Sequence, residues 1–156
     1  MKYIQETMLS DLEKEIIRLL LEDSRKSYRQ MASQLGVATS TVIAKVADLQ
    51  GKGIIKGFSC NIDWDKLGYS YSLCLAVLTA PDAHIKEVGE QLAQIPQVFQ
   101  VFNITGDADF SVHMKCRTNT EASGVLERIK IIPGVLRVIP HTVLNTVKDG
   151  GRTSFL

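Results

Sequence analysis

Apolar residues recur along the first third of the chain at helical spacing. Leu12, Ile16, Leu19 and Leu20 fall at i, i+4, i+7 and i+8, one stripe of an amphipathic helix. Ser10-Asp11-Leu12-Glu13 before it is a capping box, and Asp23-Ser24 closes it. Ser27-Tyr28-Arg29-Gln30 is a second capping box. It opens a short helix with Met31, Ala32 and Leu35 turned inward and Gly36 as a left-handed stop. A third helix, capped by Thr39 or Ser40, runs to about Lys52. Val42, Val46 and Leu49 share one side; Ser40, Ala44, Ala47, Asp48 and Gly51 share the other, with Thr41 and Lys45 on its flank. After Gly53, the residues Ile54, Ile55 and Phe58 read as a wing or linker strand.

The pattern then changes period. Phe58 to Ile62 reads as extended linker, and Asp63 to Gly68 as one capped turn. Tyr69–Ala80 reads as a strand, and Ala83–Ala93 as a helix with Ile85, Val88 and Leu92 on one face. Val98–Thr105 and Phe110–Arg117 read as strands around Gly106-Asp107-Ala108-Asp109. The second alternates: Phe110, Val112, Met114 and Cys116 on one face, Ser111, His113, Lys115 and Arg117 on the other, as for a sheet covered on one side. Thr118-Asn119-Thr120-Glu121 is a third capping box, opening a helix with Val125, Leu126 and Ile129. Val135–Val147 is the last strand, and Asp149–Leu156 reads as a frayed tail.

Three helices with a glycine turn between the last two predict a helix-turn-helix, whose second helix enters a DNA major groove. The order strand, helix, strand, strand, helix, strand predicts a ferredoxin-like sheet with both helices on one face. The fold class is therefore α+β. Residues 1–57 form a winged helix-turn-helix, 58–68 a linker and 69–156 a βαββαβ domain. The second sheet face lacks a cover within the chain, and a second copy of the chain is the simplest cover.

Composition narrows the function. The 156 residues allow one ordinary domain or two small ones, and 45% hydrophobic with 22% charged residues is a globular profile. No apolar run is long enough for a bilayer span, and MKYIQETM lacks the core of a signal peptide, so a cytoplasmic protein is expected. Net charge is only +1, yet Arg25, Lys26, Arg29, Lys45, Lys52 and Lys56 face a single acid, Asp48, between positions 25 and 56. That local surplus of five is the footprint that phosphate binding requires. Cys60, Cys74 and Cys116 are odd in number, without CxxC spacing, and read as reduced sheet thiols. His84, His113 and His141 are scattered, so neither a zinc site nor a catalytic cluster is expected.

Taken in order, SDLEKEIIRLLLEDSRKSYRQMASQLGVATSTVIAKVADLQGKGIIKGF, DWDKLGY, ITGDADF and IPGVLRV resemble the Lrp/AsnC, or feast/famine, transcription regulators from about Leu9 to Lys148. The resemblance implies a DNA-binding winged helix joined to a RAM domain. It also implies dimers through the sheet faces, tetramers, octamers or larger assemblies, and an amino-acid effector bound between RAM domains, with no other cofactor. DNA contacts are expected from Ser27, Tyr28, Arg29, Thr39, Ser40, Thr41, Ala44, Lys45, Lys52 and Lys56. Effector contacts are expected from Thr105, Gly106, Asp107, Ala108 and Asp109, with Thr118 and Val135 as neighbours. Family members commonly carry basic residues where this chain has Ala44, Ala47 and Asp48, which predicts weak or AT-leaning base readout with more weight on phosphates. Two alternatives stay open: an architectural or co-assembling partner of a related regulator, and an enzyme on the same scaffold such as a siroheme decarboxylase.

Overall fold

A computed structural model describes residues 8–148. The chain divides into two units, the first ending at Asn61 and the second spanning Ile62 to Val147. Each folds around its own core.

The first unit holds α1 (Asp11–Glu22), α2 (Tyr28–Leu35) and α3 (Thr39–Gly51). Both expected capping boxes at its start are formed. Ser10 receives the Glu13 amide while the Glu13 side chain accepts from the Ser10 amide, and Ser27 and Gln30 repeat the exchange. Gly36 ends α2 at φ 65°, a left-handed turn that an L side chain rarely adopts. Ile16, Met31, Ala32, Val42, Val46 and Leu49 make the buried centre.

Two expectations fail here. The residue that caps α3 is Ala38, with no side-chain hydrogen bond, because the helix already begins at Thr39. No strand forms between residues 54 and 62. The amides of Ile54 and Ile55 instead donate back to the Leu49 carbonyl, and both side chains fold onto the three-helix core. The apolar pair that reads as a wing strand is thus spent on packing.

The second unit holds β1 (Tyr71–Thr79), α4 (Ile85–Ala93), β2 (Val98–Asn103), β3 (Phe110–Cys116), α5 (Asn119–Lys130) and β4 (Val135–Thr142). The sheet is fully antiparallel in the order β2-β3-β1-β4. This is the ferredoxin-like arrangement that the element order predicts. Leu73, Leu75 and Val77 of β1 and Phe110, Val112, Met114 and Cys116 of β3 are buried with Val88 and Leu92 of α4 and Val125 and Ile129 of α5. Asp63–Gly68, read as linker, belongs to this unit by contact. Trp64 packs edge-on against Tyr69, with ring centroids 5.8 Å apart, and Asp65 lies 3.5 Å from Lys115.

The last strand is shorter than its sequence suggests. β4 pairs with β1 only as far as Thr142 opposite Leu73, and one more bond joins the Val143 amide to Ser72. That is one residue from the start of β1, and the apolar residues from Leu144 to Val147 have no ladder. The third capping box is half formed: Thr118 receives the Glu121 amide, but the Glu121 carboxylate reaches past the cap to the Arg117 amide at 2.8 Å. The tail from Asp149 to Leu156 lies outside the described residues.

Candidate DNA-binding and effector sites

In the first unit the exposed side of α3 carries Ser40, Ala44, Ala47 and Asp48, opposite buried Val42, Val46 and Leu49. Ser40, Thr41, Ala44, Lys45 and Asp48 together line a shallow concavity. Small side chains leave this face free to lie close against another surface. Thr39 is exposed beside it. Ser27 serves as the cap of α2, and Tyr28 is half-buried against the core.

The charge on this unit is distributed differently from a simple count. Lys45 Nζ lies 3.1 Å from the carboxylate of Glu13, which is 5% exposed. Glu13 also accepts from the Ser10 amide at 2.8 Å and the Ser10 hydroxyl at 2.7 Å. Those Ser10 bonds, then Lys45, hold its pKa down at about 2. Lys52 lies 2.5 Å from Asp48, which raises the lysine pKa, and Lys26 lies 3.8 Å from Glu22. Three of the six basic residues are therefore neutralised within the unit. Arg25, Arg29 and Lys56 are exposed and take part in none of the ion pairs among the described residues. Sequence reading finds Glu13 as a cap residue; its reach to Lys45, 32 positions away, is a tertiary contact without a local signal.

In the second unit the loop between β2 and β3 holds Thr105, Gly106 and Asp107 exposed, with Gly106 at φ 120°, and Ala108 and Asp109 partly buried. The Asp109 carboxylate is engaged. It accepts from the Thr79 amide at 2.7 Å and the Thr79 hydroxyl at 2.8 Å, which together lower its pKa. Val135 pairs with Thr79, so it stands at the same end of the sheet. Thr118 does not: it follows β3 at the other end, roughly 25 Å away at about 3.4 Å per strand residue. Thr79 is a residue that sequence reading missed, since only the folded register sets it beside Asp109.

Among the described residues no group of three or more His, Cys, Asp or Glu side chains is arranged to hold a metal, and no helix is long and apolar enough to cross a membrane.

A helix-turn-helix unit followed by a ferredoxin-like unit defines a class: DNA-binding proteins that carry a second, separate domain. Residues 9–56 match the model of a winged helix-turn-helix DNA-binding domain, and residues 74–153 match that of the Lrp/AsnC ligand binding domain. The chain belongs to the Lrp/AsnC family of transcriptional regulators. It is 31% identical over 144 residues to an uncharacterised HTH-type transcriptional regulator of Pyrococcus furiosus, covering 92% of this chain and 97% of that one. Its fold is similar to that of Escherichia coli AsnC, with TM-score 0.84 at 21% identity, covering 91% of this chain and 96% of that chain. A Neisseria meningitidis transcriptional regulator solved in complex with L-Met gives TM-score 0.86 at 16% identity, covering 94% and 96%.

Proposed function

We propose that this DNA-binding regulator acts as an assembly of two or more copies joined through the open sheet face, and that an amino acid bound at the β2–β3 loop tunes it. The observation that carries the reading is the pairing of an exposed small-residue face on α3 with a sheet that its own unit, among the described residues, covers with helices on one side only. Exposed Phe99 and Phe102 flank that open face, and stable association removes such apolar surface from water.

On DNA, α3 lies in the major groove with Ser40, Thr41 and Ala44 toward base edges. Arg25, Arg29 and Lys56 neutralise phosphates, and Thr39, the Ser27–Tyr28 turn, Lys45 and Lys52 lie along the same path. Ala44 offers only an apolar contact to a thymine methyl, and Lys45 of α3 and Lys52 at its end are both paired internally. One copy is then a weak reader, and linked copies supply the affinity. The same observation favours a second reading, an architectural protein with little sequence preference. Binding curves on the chain's own promoter and on random duplexes separate them: a tenfold or larger preference supports the regulator, equal affinity the architectural role.

For the effector, the free carboxylate of the loop is Asp107, which suits an α-ammonium; Asp109 shapes the loop through Thr79. A relative solved with L-Met makes an amino acid the first ligand class to test. Thr118 reaches such a site only from another copy. A thermal-shift panel of the twenty amino acids tests this. A true effector at 100 times its Kd adds about 2.7 kcal/mol of stability. No shift with any amino acid removes the effector part of the proposal.

A further inference from the structure

On the open sheet face, three strands bring Cys74, His113 and His141 into one cross-strand row: Cys74 pairs with His113 of β3 on one side and with His141 of β4 on the other. The thiol and the imidazole converge. Cys74 Sγ lies 3.7 Å from His113 Nε2, and Ser111 Oγ lies 3.2 Å from the same nitrogen. Phe99 and Phe102 meet the His113 ring edge-on at 6.1 and 6.0 Å, holding it in place. His141 is turned away, its Nδ1 3.3 Å from the Cys74 carbonyl oxygen.

The separation of the two donors is informative. With zinc bonds of about 2.3 Å to sulfur and 2.0–2.1 Å to nitrogen, tetrahedral ligands stand roughly 3.6 Å apart. Cys74 and His113 are thus already spaced as two corners of a zinc tetrahedron, while one chain supplies only those two.

Position supplies the rest. Cys74–His113 is the middle pair of the seven that join β1 to β3, and these are the inner strands of the sheet. Two identical faces stacked with full overlap are related by a two-fold axis that lies in the plane midway between them and passes over the sheet centre. That axis sets a second Cys74–His113 pair against the first. Packed sheets lie about 10 Å apart, so the midplane is about 5 Å from each. A cysteine sulfur standing roughly 3 Å above its sheet, plus a bond of about 2.3 Å, reaches it.

We propose that Cys74 and His113 form half of a tetrahedral zinc site, completed by the same two residues of a second copy. The inference rests on the sheet-to-sheet dimer proposed above. Each Cys74 thiol releases its proton to solvent on binding, and each His113 coordinates as the neutral ring through Nε2. Neither residue has a ligand motif in the sequence, because the two donors are 39 positions apart and are joined only by strand register.

The test uses the full chain, reduced, with cobalt(II) as a spectroscopic stand-in for zinc and sedimentation for mass. The expected result is a dimer that takes up one cobalt per two chains. It shows thiolate charge-transfer and tetrahedral d–d bands, lost in Cys74→Ser and in His113→Ala and kept in Cys60→Ser. A dimer that takes up no metal overturns the zinc site and leaves the dimer standing. So does a dimer with bands that survive Cys74→Ser, or a Cys74–Cys74 disulfide without metal. A chain that stays monomeric with and without metal overturns the dimer, and the zinc site with it.

Discussion

The ion pair between Lys45 and Glu13 makes a prediction that a count of basic residues does not. Affinity for duplex DNA falls with salt as the log–log slope, about −0.9 for each phosphate neutralised. If Lys45 and Lys52 stay with Glu13 and Asp48, the available cations per copy are Arg25, Arg29 and Lys56. Two copies on DNA then neutralise about six phosphates, and the slope is about −5.4. If both lysines leave their carboxylates, the count is about ten and the slope about −9. Over a fourfold rise in salt these slopes differ widely, a loss of roughly 10³ in affinity against roughly 10⁵. The perturbation is Glu13→Gln. Glutamine still accepts from Ser10, as Gln30 does from Ser27 in the second capping box, so the helix start survives. Lys45 loses its counter-charge, and the slope steepens to about −7 as two more phosphates are neutralised. Arg29→Ala moves it the other way, to about −3.6. Fluorescence anisotropy of a labelled duplex across a salt series reads all three. A wild-type slope near −9 that Glu13→Gln leaves unchanged would refute the reasoning, since the lysines would then be exchanging carboxylates for phosphates.

Three further outcomes are expected. Glu13 has a pKa of about 2 against an ordinary 4.5, so its ionised form favours the folded unit. That contribution is complete above pH 4.5 and fades as pH falls toward 2, and Glu13→Gln flattens the acid limb of helix content followed by circular dichroism. Leu75→Ala, at the fully buried centre of β1, costs about 2–5 kcal/mol by urea unfolding. Gly134→Ala costs about 1–3 kcal/mol, measured the same way, because φ is 89° there and the new Cβ falls 2.9 Å from Ala83 Cβ.

What the sequence makes legible is whatever depends on near neighbours. Capping boxes at Ser10 and Ser27, the glycine stop at Gly36 and the alternation of β3 are all encoded within a few residues, and all form. The failures share a cause. Ile54 and Ile55 are apolar enough for a strand, but the helix core takes them first. Val143 to Val147 continue a strand-like run, but its bonding to β1 stops at Val143 and Ser72, near the start of β1. In each case a tertiary partner, present or missing, decides between two locally acceptable outcomes.

The candidate sites show the same boundary more sharply. Six basic residues between Arg25 and Lys56 look like one phosphate-binding surface, yet three of them meet carboxylates. Glu22 and Asp48 each stand four positions before their lysines, Lys26 and Lys52, at the ends of α1 and α3, and could be anticipated. Glu13 could not, since its distance to Lys45 depends on how α1 packs on α3. Asp107 and Asp109 read alike in the loop, but register assigns Asp109 to Thr79 and leaves Asp107 exposed. Cys74 and His113 read as isolated residues until β1 and β3 are set side by side. Residue type fixes what chemistry a side chain can do; pairing across the fold decides whether it is free to do it. With so few unpaired charges on α3, the proposed assembly makes DNA affinity depend on the geometry between copies. A variant that splits the sheet-to-sheet assembly should weaken DNA binding more than Lys45→Ala does.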